Sequence, residues 1–196
     1  MKNHLFYLLL SGTLFFVSGC GGSSNEATSV DAAGKHNEEL LESTGKDEDS
    51  GWFVAEVASA GLFEVELGRL ASSKGNDPRV RQFGQLMLDH HTQSNTQLKQ
   101  IAELKNLIVP SALGEDHQET YNKVMTNTGA AFDKAYMEAM VKDHKDNLDR
   151  FEEMAEKGKD MELKAFAAKG LPMLRAHLKQ AEELEDALEE QQRQQL

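Results

Sequence analysis

Between Trp52 and Glu190 apolar residues recur at helical spacing in four long stretches, and no strand-like alternation of apolar and polar residues competes with them. The first stripe is Phe53, Val57, Ala60, Leu67 and Leu70. Gly75 is placed to end that helix, and Asp77-Pro78 offers an N-cap and a first-turn proline for the next. The second stripe is Val80, Phe83, Met87, Leu98 and Ile101, and Val109-Pro110-Ser111 breaks it beyond Leu107. A shorter helix is expected from Ala112 to Thr126, ended by Asn127-Thr128-Gly129. The third long helix, Ala130 to Lys157, carries Phe132, Tyr136, Met140, Val141, Leu148, Phe151 and Met154. Gly158 and Asp160 form the next stop and start. A last helix then runs from Met161 to Glu190 with Phe166, Leu174, Leu178, Leu184 and Leu188. Pro172 is expected to kink or interrupt it, because proline removes a backbone donor and crowds the preceding turn.

The fold class is therefore all-α, and the connections suggest its topology. Short loops near Gly75 and Gly158 make two antiparallel hairpins, joined by a long connection that contains the short helix. Short, long, short is the pattern of a ferritin-like four-helix bundle, whose crossover lets the second and third long helices run parallel. A plain up-and-down bundle with a helical excursion is the alternative.

Three histidines each follow a methionine by four residues: Met87 and His91, Met140 and His144, Met173 and His177. A four-residue step places both side chains on one helix face, and each of these faces is otherwise largely apolar. Counted from the hairpin loops, each histidine lies roughly 22–27 Å along its helix, close to mid-bundle. Glu64 on the first helix falls within about two turns of the same level. The candidate metal site is therefore Glu64, His91, His144 and His177, one residue from each long helix. Three imidazoles and a carboxylate suit iron, zinc or copper, and soft thioethers beside them keep copper(I) open. The competing reading is a set of hydrogen-bonded core histidines with gap-filling methionines. Glu66 competes with Glu64, since a rotation of about 200° separates them and only one can face inward. Asp143 and Asp89 stand near enough in sequence to orient the imidazoles. His90 points about 100° away from His91 and is expected to be partly exposed; His117 reads as surface.

The N-terminus reads as a secretion signal: Lys2 is followed by a mostly apolar, uncharged run from Leu5 to Val17 that is too short to span a bilayer. Val17-Ser18-Gly19-Cys20 resembles a bacterial lipobox, which makes residues 1–19 a signal peptide and Cys20 the lipidated anchor. Gly21 after the cysteine points to an outer-membrane lipoprotein facing the periplasm. Residues 20–48 are rich in small, polar and charged side chains and are expected to form a disordered tether. The bundle is assigned to 49–190 and a polar tail to 191–196. Cys20 is the only cysteine, so the core alone must hold the fold. A net charge of −12 repels phosphate backbones and argues against nucleic-acid partners. There is no Gly-rich phosphate loop, no Cys-x-x-Cys-His haem segment and no nucleophile in a hydrolase setting.

Four runs together resemble one family. They are Gly61-Leu62-Phe63-Glu64-Val65-Glu66-Leu67-Gly68-Arg69-Leu70; Met87-Leu88-Asp89-His90-His91-Thr92; Phe132-Asp133-Lys134-Ala135-Tyr136 with Met140-Val141-Lys142-Asp143-His144; and Leu171-Pro172 with His177-Leu178. The likeness, from Trp52 to Leu184, is to the bacterial domain-of-unknown-function family 4142, whose members are often exported and look like ferritin-like bundles. The resemblance implies functional positions at His91, Asp143-His144 and His177, with His90 standing where the family usually has aspartate. It implies no settled activity. Ferritin-like di-iron proteins use Glu-x-x-His on two helices, whereas Leu88, Val141 and Leu174 precede these histidines by three residues, which disfavours a carboxylate-bridged di-iron centre.

The expected function is an envelope lipoprotein that binds a transition metal in its bundle core. The alternative is a metal-free interaction or stress-response module that contacts a protein partner, with Ala181 to Leu196 as the stretch longer than one bundle would bury.

Overall fold

A computed structural model describes residues 28–45, 47 and 49–194. Residues 1–19, expected to be a signal peptide, and Cys20 lie outside the described residues. The described part holds α1 (Val30–Ser43), α2 (Asp49–Lys74), α3 (Pro78–Lys105), α4 (Glu115–Met125), α5 (Gly129–Lys157) and α6 (Met161–Arg193), with no strand among these residues. None of its helices is long and apolar enough to cross a membrane.

The local signals act as their chemistry requires. Asp77 caps α3 by accepting from the Arg79 backbone N–H, with Pro78 in the first turn. Asp160 caps α6 by accepting from Glu162 and Leu163. The helix α3 stops at Asn106, in the left-handed conformation at φ 58°, and thus before the Val109-Pro110 break that sequence suggested. Pro172 does not interrupt α6: its ring is exposed, as is Ala168 one turn earlier, so the carbonyl left without a donor can be hydrated.

Helices α2 and α3 form one hairpin and α5 and α6 the other, with α2 facing α5 and α3 facing α6. Phe53 near the start of α2 packs on Phe151 near the end of α5, with centroids 5.5 Å apart. At the opposite end, the buried Asp133 carboxylate near the start of α5 accepts from the Asn76 and Asp77 N–H groups just after α2. These helices are therefore antiparallel. Likewise Lys105 at the end of α3 meets Asp160 before α6 at 2.7 Å, and Arg79 at the start of α3 meets Gln191 near the end of α6. It follows that α3 and α5 run parallel, as in a ferritin-like bundle with a long crossover.

The tether assignment for residues 20–48 needs correction, because residues 30–43 are helix α1 packed on α2. Its buried face is Ala33, Gly34, Asn37 and Leu41, at helical spacing but too small and polar to stand out as an apolar stripe. Asn37 clasps the chain beyond α3: its carboxamide donates to the Ile108 and Gly51 carbonyls and accepts from the Ile108 N–H at 2.7 Å. At the other end, α6 continues to Arg193, past the proposed tail boundary, and Ala181 and Leu184 are buried in the core with Leu188 packed against it. The C-terminal stretch therefore belongs to the bundle as far as Leu188, and the end of α6 beyond it is mostly exposed.

The apolar interior consists of two clusters. One gathers Phe63, Leu67, Phe83, Met87, Tyr136, Met140 and Leu184; the other gathers Phe53, Val57, Leu98, Phe151, Leu163, Phe166 and Leu174. Each large side chain contributes roughly 1.5–3 kcal/mol by leaving water. The first hairpin is drawn tight where α2 and α3 touch backbone to backbone: a Cβ on Gly84 would stand 2.7 Å from Ser72 N and 2.9 Å from Gly68 O.

This contact predicts an inverted propensity effect. Gly84→Ala should lower stability by about 1–3 kcal/mol although alanine is the better helix former. Urea unfolding of parent and variant checks it, and an unchanged or stabilised variant would show that the hairpin can open at this point.

Candidate metal centre

Between the two apolar clusters lies a layer of polar side chains. Glu64 comes from α2, His91 from α3, His144 from α5 and His177 from α6, and their relative exposures are 1%, 3%, 0% and 2%. The structure brings all four together. Glu66 is half-buried on the side of α2, so Glu64 is the inward carboxylate. Met87 and Met140 belong to one apolar cluster and Met173 packs against the other, which accounts for the methionine spacing by core packing.

Three ring nitrogens converge. His91 Nε2 and His144 Nε2 each lie 3.3 Å from His177 Nδ1, and the three ligand atoms are all within 4.8 Å of one another. Two ligands of a tetrahedral ion at about 2.0–2.1 Å stand about 3.3–3.4 Å apart, so the imidazole spacing matches one edge of such a site twice over.

Hydrogen bonds on the far side of each ring decide which nitrogens carry protons. The Met140 carbonyl can only accept, so His144 Nδ1–H donates to it at 2.9 Å and leaves the Nε2 lone pair facing inward. Glu64 Oε2 stands 2.6 Å from His91 Nδ1. It accepts that N–H whether the carboxyl is ionised or holds a proton on its other oxygen, which again turns a lone pair inward. His177 Nε2 lies 2.9 Å from His90 Nδ1, and donation in that direction frees the His177 Nδ1 lone pair. A carboxylate, a carbonyl and an imidazole thus orient three imidazoles toward one point, the kind of outer support that metal-ligating histidines have.

Glu64 stands differently from the expectation that it is one of four equivalent ligands. It enters through His91, while its Oε1 groups with His144 and Asp143 on the other side of the layer, 3.5 Å from His144 Nε2. The cause is its position on α2, which faces α5 across the core. Asp143 is the buried neighbour that sequence suggested; Asp89 is exposed and accepts only from Gln85 on its own helix.

Two residues escaped the sequence reading. His90 supports His177 although it sits at the edge of the layer. His117, which reads as surface, keeps its side chain 24% exposed, stacks on Phe63, and bridges Ser59 Oγ at 2.8 Å to Asp143 Oδ1 at 3.1 Å. It lines a cleft of about 440 Å³ whose wall also includes Asp143. No periodic signal marks a histidine on a short, mostly exposed helix such as α4; its role depends on where the crossover lands.

Burial pushes all three histidines toward the neutral form. His91 is held well below the ordinary imidazole value by burial and then by its histidine neighbours. His144 is lowered by burial, against the opposing pull of Asp143 and the Met140 carbonyl. His177 is lowered to about 3 by burial and by His144 and His90. Burial, followed by the neighbouring Asp143, raises Glu64 well above the usual carboxylate range. Burial and the Glu64 charge raise Tyr136. The site therefore presents neutral nitrogen donors at neutral pH, the protonation state that a transition metal needs.

Residues 37–184 match the family described as "Domain of unknown function (DUF4142)". The chain belongs to the DUF4142 family. The matched region begins inside α1, taking in its second half, and it contains every residue of the histidine layer as well as His117. Comparisons with curated proteins and with solved structures return no match.

Chelator-treated DUF4142 domain should carry the signature of buried neutral histidines. The unfolded chain takes up a proton on residue 177 near pH 6.5 and the folded protein only near pH 3, so this group's contribution to stability is lost as pH falls below 6.5. Thermal melts at about pH 7 and about pH 5 should show the parent losing more stability than a His177→Leu variant. Equal losses would mean that His177 is not buried in neutral form.

Proposed function

We propose that this protein is a transition-metal-binding module of the cell envelope, with His91 Nε2, His144 Nε2 and His177 Nδ1 as ligands and a lipid on Cys20 as its membrane anchor. The observation that carries the metal reading is the agreement of spacing and support: His91 and His144 nitrogens each at a tetrahedral edge length from His177 Nδ1, with a carboxyl, a carbonyl and an imidazole behind the three rings. Three neutral imidazoles suit zinc best, with copper(II) and iron(II) as weaker fits to the same donors. Glu64 orients His91 and does not serve as a fourth equivalent arm.

The room beside the triad favours holding a metal over turning over a substrate. A hollow of about 10 Å³, lined by Glu64, His91, Asn95 and Asn147 among others, is on the scale of a single water. A metal in the layer would tie one helix of the first hairpin to both helices of the second, and its binding free energy would add to folding stability.

Elemental analysis of the full chain, purified in mild detergent without chelator, tests this reading. Near-stoichiometric metal is expected in the parent, with loss in a His144→Ala, His177→Ala double variant. Glu64→Gln should keep the site and weaken affinity by about 10–100-fold. A metal-free parent that stays metal-free after incubation with zinc, copper or iron would reject the reading. For the anchor, Cys20→Ser should move the protein from the membrane fraction to the soluble fraction; if it stays with membranes, another element holds it there.

A further inference from the structure

The buried side-chain atoms without a hydrogen-bond partner among the described residues are Glu64 Oε1, Tyr136 OH and Asn147 Oδ1. Asp143 stands beside the Glu64 carboxyl, and Asn147 donates to Asp143 and lines the same small hollow as Glu64. Unpartnered polar atoms in a core are costly, and two of these three belong to neighbouring side chains, Glu64 and Asn147.

Among the described residues no lysine or arginine pairs with the carboxyls at that point. Glu64 and Asp143 are 1% and 6% exposed, and they lie in the group whose ligand atoms stand within 4.8 Å of one another. The nearby cations are engaged elsewhere, Lys142 with Asp146 at 2.6 Å and Arg150 with Glu56 at 2.9 Å. The Asn147 carboxamide donates to Asp143 Oδ2 at 3.1 Å, which uses its hydrogen-bearing end and leaves its oxygen bare.

We propose that Glu64 Oε1, the Asp143 carboxylate and Asn147 Oδ1 form a second cation position beside the histidine triad, made of oxygen donors and selective for a hard divalent ion. Two buried carboxyls and a carboxamide oxygen are the donors that manganese(II), magnesium or calcium take, a cation there would displace the proton that burial favours on Glu64, and His144 borders the same group. Asp143 gives the position its route to solvent, because the same residue lines the 440 Å³ cleft. Asp31, Glu115 and Asp116 on the cleft wall would concentrate cations at its mouth. His117 fixes the Asp143 carboxylate from the cleft side through its Nε2. The position adjoins the triad, since Glu64 Oε1 lies 3.5 Å from His144 Nε2, and variants that remove one set of donors at a time tell the two readings apart.

The test uses manganese(II) as the probe, added to the chelator-stripped full chain in mild detergent, with and without one prior equivalent of zinc. Free manganese is followed by its electron paramagnetic resonance signal. The expected result is uptake of one equivalent of manganese under both conditions, competed by excess magnesium or calcium. Asp143→Asn should weaken manganese uptake at least about tenfold and leave zinc stoichiometry unchanged, as expected for loss of a charged oxygen ligand. Asn147→Ala provides the same reading if Asp143→Asn does not fold by circular dichroism. His177→Ala should lose zinc and retain manganese. Absence of manganese uptake by the folded parent overturns the proposal, as does uptake that neither the Asp143 nor the Asn147 variant reduces. Manganese uptake without zinc binding would leave this position intact and reject the triad.

Discussion

Burying three imidazoles and a carboxylate at one level of a helix bundle ties the axial register of every long helix to the others. A slip of one residue on α3, α5 or α6 would turn an imidazole by about 100° and leave its ring nitrogens without partners in the core. Apolar packing on either side of the layer tolerates small shifts, because one methylene can replace another at modest cost. The layer tolerates none, since each ring has a named acceptor behind it and a named nitrogen in front. The Gly68–Gly84 contact and the Asp133 clamp on the first hairpin loop serve the same end, fixing α2 against α3 and α5 at the depth that the layer requires.

Much of this was legible in the sequence. Long stripes at helical spacing, the Asp77-Pro78 and Asp160 caps, and the two short loops specify two hairpins with little ambiguity, because capping and periodicity are local effects. The depth of His91, His144 and His177 could be counted from the loops for the same reason. Residue-level geometry was less accessible. Whether Glu64 ligates or orients depends on which neighbour α2 meets across the core, and that is a tertiary fact. His117 and α1 were misread for a shared cause: both lie on short, weakly apolar helices whose role comes from what the crossover and the first helix pack upon. Composition placed Ala33, Gly34, Asn37 and Leu41 in a tether, although small residues are what a close helix contact needs.

The departure from ferritin-like di-iron proteins gains a structural reason. In the present layer the residues three before the histidines are Leu88, Val141 and Leu174, which take part in packing or partial burial. The carboxylates come instead from Glu64 on α2 and from Asp143, immediately before His144. The layer therefore gathers three imidazoles from α3, α5 and α6 on one side and the carboxyls of α2 and α5 on the other, with His144 common to both groups. A shared fold with a different placement of donors is a different chemical instrument.

The Asn37 clasp bears on the order in which the chain assembles. Each hairpin closes a short loop, so α2 with α3 and α5 with α6 can pair while little of the chain has been restrained. The crossover is another matter: Asn37 must find Ile108 across 71 residues, and Ser59 must find Gly114 across 55. Such contacts form against a larger loss of chain entropy and have little to gain until both ends are already ordered. The segment between the hairpins is fastened by α1 and Ser59 onto the surface that the two hairpins build, at a larger cost in chain entropy than either hairpin loop. The cleft containing His117 therefore depends on that fastening, because its walls come from α1 and α4 as well as from the two hairpins.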